Sequence, residues 1–100
     1  NELGEIIMQY FIFRQDKPNS LDLRINTRPA HMEYAEKLGD KLVFAGPAMD
    51  DDNNMIASVW IVEVRDRTEA VSITEEDPDE QVGLFECKIV HKFMRTAGTG

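Results

Sequence analysis

One hundred residues, 42% hydrophobic and 30% charged, set the scale of one soluble globular domain with little room for a second. Nineteen acidic residues against eleven basic ones give a net charge of −8, and with no basic run this argues against nucleic-acid binding and against an anionic membrane surface. No apolar run approaches the ~20 residues of a membrane span, no signal peptide is visible, and the lone Cys87 cannot close an internal disulfide, so a reducing cytoplasm is expected.

The sequence opens on Asn1 rather than Met, which leaves room for a segment upstream. Glu5–Arg14 (EIIMQYFIFR) is rich in β-branched and aromatic residues and reads as a strand. One face would carry Ile7, Phe11 and Phe13, the other Ile6, Met8, Tyr10 and Ile12. A strand with one wet face alternates, and this one is apolar on both. Helices can cover one side; in so small a chain the expected cover of the other is a second copy. Burial of only roughly 60–70% of the unfolded surface at this size makes that association useful to stability.

Gln15–Asn19 reads as a turn or loop, with Pro18 in it. Ser20 is a candidate N-cap for a helix from Leu21. Pro29 interrupts the pattern, because an interior proline removes a helix hydrogen bond. Either the helix kinks near residue 26, or a short helical turn ends there and a new helix begins, with Thr27 as N-cap and Pro29 in its first turn. The second is preferred. Gly39 ends the helix as a C-cap. His31, Tyr34, Ala35 and Leu38 fall at i, i+3, i+4 and i+7, an otherwise apolar face that should point inward. A histidine there must satisfy its ring nitrogens without bulk water, or sit at the lip of a cavity. Arg24 and Arg28 precede it near the same face.

Lys41–Ala45 (KLVFA) reads as a short buried strand ended by Gly46-Pro47. Ala48–Asn54 (AMDDDNN) is an exposed hairpin turn. A calcium loop needs Gly at its sixth position and Glu at its twelfth. Counting from Asp50 puts Met55 and Ile61 there, and counting from Asp52 puts Ala57 sixth, so the motif fails. Met55–Val64 is a third strand, with Ile56, Ser58, Trp60, Val62 and Val64 on one face and Ala57, Val59 and Ile61 on the other. Asp66 or Thr68 caps a second, weakly patterned helix that runs to about Glu76 and is stopped by Asp77-Pro78. Asp79–Gly83 is a loop. Leu84–Met94 is a fourth strand; Phe85, Cys87, Ile89, His91 and Phe93 share one face, while Glu86, Lys88 and Lys92, interrupted by Val90, take the other. Cys87 and His91 have no companion ligands, so no zinc site is expected and Cys87 is read as a core residue. Residues 96–100 form a frayed tail, leaving 1–95 as one domain. The order β-α-β-β-α-β fits a ferredoxin-like α+β fold, an antiparallel sheet with helices on one side.

Four stretches in this order resemble the YciI-like, or YCII-related, family: SLDLRINTRPAH (Ser20–His31), AGP (Ala45–Pro47), SVWIVEV (Ser58–Val64) and DPDEQVGLFECKIVHKF (Asp77–Phe93). The R-x3-R-x2-H spacing followed much later by D-P is informative in combination. The resemblance implies a ferredoxin-like subunit that dimerises sheet to sheet into a dimeric α/β barrel. It also implies a cleft holding a His-Asp pair, with His31 matching the family histidine, Asp77 the D-P aspartate, and Ser58 a serine of the third strand. Some branches of the family are described as dehydrochlorinases acting on chlorinated hydroxyhydroquinones. Two departures stand out: Asp79 follows D-P where an aromatic is usual, and Ala57 precedes the strand serine where a glycine is frequent.

The residues support the pair independently. Histidine titrates near neutrality and can both take and give a proton, best when a carboxylate fixes its tautomer. The plainer alternative keeps His31 as a satisfied core histidine and Asp77 as a helix stop. Arg24 and Arg28 either clamp an anionic or phenolate substrate or form a solvated helix face; Ser58 either meets a ligand or bonds to backbone. No G-x-S-x-G elbow is present. The leading expectation is an enzyme in which His31, oriented by Asp77, deprotonates a small cyclic or phenolic substrate whose leaving group departs without a cofactor or a metal. The alternative is a non-catalytic ligand-binding or structural dimer. A monooxygenase of the same architecture has no specific support in these residues.

Overall fold

The computed structural model describes residues 7–98. In chain order come β1 (Met8–Asp16), α1 (Leu21–Leu38), a 3-10 turn (Gly39–Lys41), β2 (Leu42–Met49), β3 (Met55–Val64), α2 (Arg67–Glu75), α3 (Pro78–Gln81) and β4 (Phe85–Phe93). The sheet order is β2-β3-β1-β4, and every neighbouring pair is antiparallel. This is the ferredoxin-like α+β fold expected from the element order, with α3 as an added turn. Of the predicted first strand, Glu5 and Ile6 lie outside the described residues.

β1 is central, and its alternation builds the molecule. Tyr10, Ile12, Arg14 and Asp16 all point to the helix side and are buried. Tyr10 and Ile12 pack with Trp60, Val62, Val64, Ala70, Ile73 and Val90 into the core, and Tyr34 and Leu38 of α1 close over it. Tyr34 is tied down by its hydroxyl, which donates to Ile73 O at 2.6 Å; burial pushes that phenol up to about 12. On the opposite face Phe11 faces Ile61 and His91 across the strands, and Phe13 faces Val59 and Ile89. The helices pack on the other side of the sheet, so Ile89 and Phe93 stay 41% exposed.

Several local expectations change in the folded chain. α1 runs unbroken from Leu21 to Leu38 with Pro29 inside it, so no second helix begins at Thr27. Thr27 instead donates its hydroxyl back to Leu23 O at 2.8 Å. Pro29 and Ile25 are both exposed, so the Ile25 carbonyl that Pro29 cannot reach can turn to water. Ser20 holds the N-cap position without a side-chain cap; its hydroxyl reaches Pro18 O at 3.3 Å. Gly39 ends the helix at φ +56°, a conformation glycine adopts without a Cβ penalty.

β2 is longer and more exposed than its apolar run suggests, with Phe44 56% exposed. It continues through Gly46-Pro47 because it is an edge strand, where a proline sacrifices no needed ladder bond. The hairpin turn after it is held by Asp50, whose Oδ1 accepts from the backbone of Asp52 and Asn54 at 2.9 Å each. Those bonds, Asn54 N–H first, hold the Asp50 carboxyl below the usual range. Asp66 caps α2 by accepting from Glu69 N–H at 2.9 Å. The predicted loop after Asp77 contains α3. Cys87 is exposed rather than in the core, because it lies on the sheet face that no helix among the described residues covers. Phe85 leaves that face: a register shift opposite Gln15 and Asp16 turns it to the helix side.

Candidate active site

α1 buries only two residues, Arg24 and His31, two turns apart on the side facing the sheet. Its contact with the core is therefore built on charge and imidazole as much as on Tyr34 and Leu38. Below them β1 presents Arg14 and Asp16, and β3 presents Ser58 and Trp60, all buried.

Asp77 reaches this place through local backbone chemistry. The residue before a proline prefers extended geometry, and Asp77 sits at φ −68°, ψ 127°. From there its side chain caps α3, Oδ1 accepting from Asp79 N–H at 3.0 Å, with Pro78 in the first turn. The same Oδ1 lies 2.8 Å from His31 Nδ1. The first turn of α3 also carries Asp79 inward, 1% exposed, its Oδ2 3.1 Å from His31 Nδ1.

Arg14 is the fixed cation of the cluster. It is fully buried, its guanidinium 4.6 Å from the Trp60 ring centre and 4.5 Å from that of Phe85. Its Nη2 is 2.9 Å from Asp77 Oδ2, an ion pair whose N–H is not aimed along the contact. Its Nη1 donates to Glu80 at 3.2 Å, and Glu80 also takes Lys88 at 2.6 Å. Burial alone would raise the Asp77 carboxyl, but the His31 hydrogen bond and the Arg14 charge outweigh it and hold Asp77 below the usual range. Asp79 goes the other way: burial, and the nearby Asp77 charge, push its carboxyl up despite the pull of His31 and the arginines. An ionised Asp77 can only accept, so the proton between them sits on His31 Nδ1. Nε2 is left for the cleft that His31 lines.

That cleft has a volume of about 540 Å³ and lies between α1 and the β2–β3 hairpin. Arg24, Arg28, His31, Met32, Phe44, Pro47, Ser58 and Trp60 are among its walls. It is in the size range of small-molecule sites, apolar with a few polar groups. His31 and Trp60 rings lie 5.7 Å apart at 37°.

The sequence candidates thus converge unequally. His31 and Asp77 meet, and Ser58 shares the cleft wall. Arg24 is not part of a solvated face: Nε and Nη2 both donate to Asp16 at 2.7 Å, and that pairing outweighs burial to keep the guanidinium charged. Arg28 is the exposed arginine at the mouth, 3.9 Å from Met55 Sδ. Arg14, Asp16 and Trp60 were not singled out, although parity with Tyr10 and Ile12 places Arg14 on the inner face. Asp79 registered only as a departure. His31, Asp77 and Asp79 offer one nitrogen and two oxygens within 4.8 Å of one another, a donor set open to a divalent cation. Their separations are also those of hydrogen bonds, and Arg14 already neutralises Asp77.

A family model described as the YCII-related domain matches residues 8–94. Protein YciI of Escherichia coli is 32% identical over 96 residues, covering 88% of this chain and 98% of that protein. An uncharacterized protein of Haemophilus influenzae is 31% identical over the same shares. Among solved structures, 5-chloro-2-hydroxyhydroquinone dehydrochlorinase from Burkholderia phenoliruptrix, in complex with 2,5-dihydroxybenzoquinone, is 35% identical with a TM-score of 0.82, covering 89% of this chain and 96% of that one. A NIPSNAP family protein from Agrobacterium tumefaciens, 12% identical with a TM-score of 0.57 over 91% of this chain and 94% of that one, shares the fold alone. With the family domain spanning nearly every described residue, from β1 through the His31–Asp77 contact to the end of β4, this chain belongs to the YCII-related family.

Proposed function

We propose that this protein is a cofactor-independent lyase of the dehydrochlorinase type, acting on a small cyclic or phenolic substrate. The observation that carries this reading is the 2.8 Å contact between His31 Nδ1 and Asp77, in a histidine that itself lines a largely apolar cleft. Likeness to the dehydrochlorinase from Burkholderia phenoliruptrix supports the reaction class. His31 Nε2 takes a proton from the substrate. The electron pair left behind forms a new π bond, and chloride departs with the pair of its own bond. Nothing is oxidised or reduced, so the balance calls for no redox partner. Asp77 stabilises the imidazolium as it forms. Arg28, at the mouth, meets a phenolate oxygen, with Ser58 as a hydroxyl on the opposite wall; Arg24, committed to Asp16, adds positive potential. Two chains pair through the apolar sheet faces, on the side of the sheet away from the cleft.

The test is chloride release from a chlorinated hydroxyhydroquinone, followed with wild type and His31→Ala. Turnover by the wild type and a loss of about 10²–10⁴-fold in a folded, ligand-binding variant support the reading. Binding of the ring without chloride release by the wild type would favour the non-catalytic ligand-binding dimer. A His31→Ala chain that only unfolds would assign His31 to the core.

A further inference from the structure

Asp79 is the member of the cluster to which the His-Asp pair assigns no task. Its side chain is 1% exposed, and while Oδ2 lies 3.1 Å from His31 Nδ1, Oδ1 is buried without a hydrogen-bond partner. A buried carboxylate in this condition opposes folding. The local helix does not need it. What caps α3 is the Asp77 side chain accepting the Asp79 backbone N–H, which any residue but proline would offer.

What the Asp79 side chain does approach is the imidazole, at the nitrogen Asp77 also holds. Asp77 holds that nitrogen by a hydrogen bond at 2.8 Å, and Asp79 Oδ2 stands 3.1 Å from it as a second, purely electrostatic contact. We infer that Asp79 is a positioning residue: with Asp77 it forms a two-carboxylate cradle that keeps the proton of His31 on Nδ1 and turns Nε2 to the cleft. Arg14 makes the cradle tolerable by neutralising Asp77 from its far side, so two carboxylates can share one small volume. Asp79 has no cation of its own at that range among the described residues. When Nε2 takes a proton and the ring becomes a cation, Asp79 is the counter-charge already in place. Its attraction is stronger for the protonated ring than for the neutral one, the differential a base needs.

The inference rests on the reading that His31 works through Nε2, but which nitrogen holds the proton can be measured without a substrate. Long-range proton–nitrogen NMR spectra of the uniformly labelled full chain report the tautomer of His31, at a pH where the ring is neutral. Wild type is expected in the Nδ1–H form. In Asp79→Leu the ratio of Nδ1–H to Nε2–H should fall by about two- to tenfold, the loss of a carboxylate 3.1 Å from the Nδ1 proton. Asp77→Asn is recorded in parallel. If Asp77→Asn shifts the ratio and Asp79→Leu does not, the cradle is overturned and the His-Asp pair stands. If Asp79→Leu alone shifts it, Asp79 orients the ring by itself, and the two-carboxylate cradle is overturned along with the His-Asp pair as the orienting unit. A ratio moved by neither variant removes both. Asp79→Ala, which adds no volume, carries the same expectation should the leucine variant not fold.

Discussion

Asp77 and Asp79 are two residues apart and pull stability in opposite directions with pH. Asp77 is held below the ordinary aspartate value of about 3.9. It contributes stability above that pH, and the contribution is lost as pH falls through its lower folded value. Asp79 is raised, so its share is present below about pH 4 and is lost as pH rises through the raised value. Asp79→Asn should therefore gain on wild type between about pH 4 and neutrality, reaching about 1–3 kcal/mol in urea unfolding at pH 7. A gap that is flat or shrinks with pH would contradict this. Asp77→Asn should cost about 3 kcal/mol or more at pH 7, because buried Arg14 loses its nearer counter-charge and keeps only Glu80, at 3.2 Å. Arg14→Lys should not restore wild-type stability either. The flat guanidinium stacked between Trp60 and Phe85 has no equivalent in an ammonium group, and a loss of about 1–3 kcal/mol by the same measurement is expected.

At the level of elements, what the residue pattern predicts best is what depends on near neighbours. The third strand has its expected bounds, Met55–Val64, and of the two caps expected for α2, Asp66 and Thr68, the helix uses Asp66. The i, i+3, i+4, i+7 face of α1 does turn inward. Pro29 is where local rules lose: docking of α1 along the sheet outweighs the missing backbone bond. Pro29→Ala should then lengthen the hydrogen-bonded ladder and stabilise the fold by about 1–3 kcal/mol, less the unfolded-state entropy that proline removes. Thermal unfolding reads this directly, and a lower midpoint for the alanine variant would mean that proline shapes α1 favourably. The inward charge of Arg14 was legible by parity with Tyr10 and Ile12, and went unread because a charged residue at a strand end ordinarily faces water. Asp16 was not legible in this way: the stretch Gln15–Asn19 reads as a turn, whereas β1 runs on through Asp16.

For the whole molecule, the open sheet face is the feature with the largest consequence. Phe11, Phe13, Val59, Ile89 and Phe93 line a surface that no described helix covers, and Phe44 extends it at the edge. If two copies meet there, sedimentation at micromolar concentration should give twice the chain mass. Ile89→Glu, placing a charge on that face at an outer strand, should return the single-chain mass while the amide spectrum stays folded. A monomeric wild type would remove the dimer. The sequence pattern anticipated apolar strands on both faces, yet assigned Cys87 and the second strand to the interior. Both lie where burial depends on a surface beyond the chain's own helices, which apolar character alone does not distinguish from a core.

By itself the residue order determines the element types, the antiparallel ferredoxin-like plan, the hairpin at Asp50 and the inward face carrying His31. Each follows from contacts between residues close in sequence, or from a two- or 3.6-residue period. Which groups surround that histidine was decided only in the folded chain. Asp77 lies 46 residues from His31, Arg14 enters from the opposite direction, and Asp79 arrives because a proline-started turn rotates it inward. Such distances are closed by the packing of whole elements, and no local period records the result.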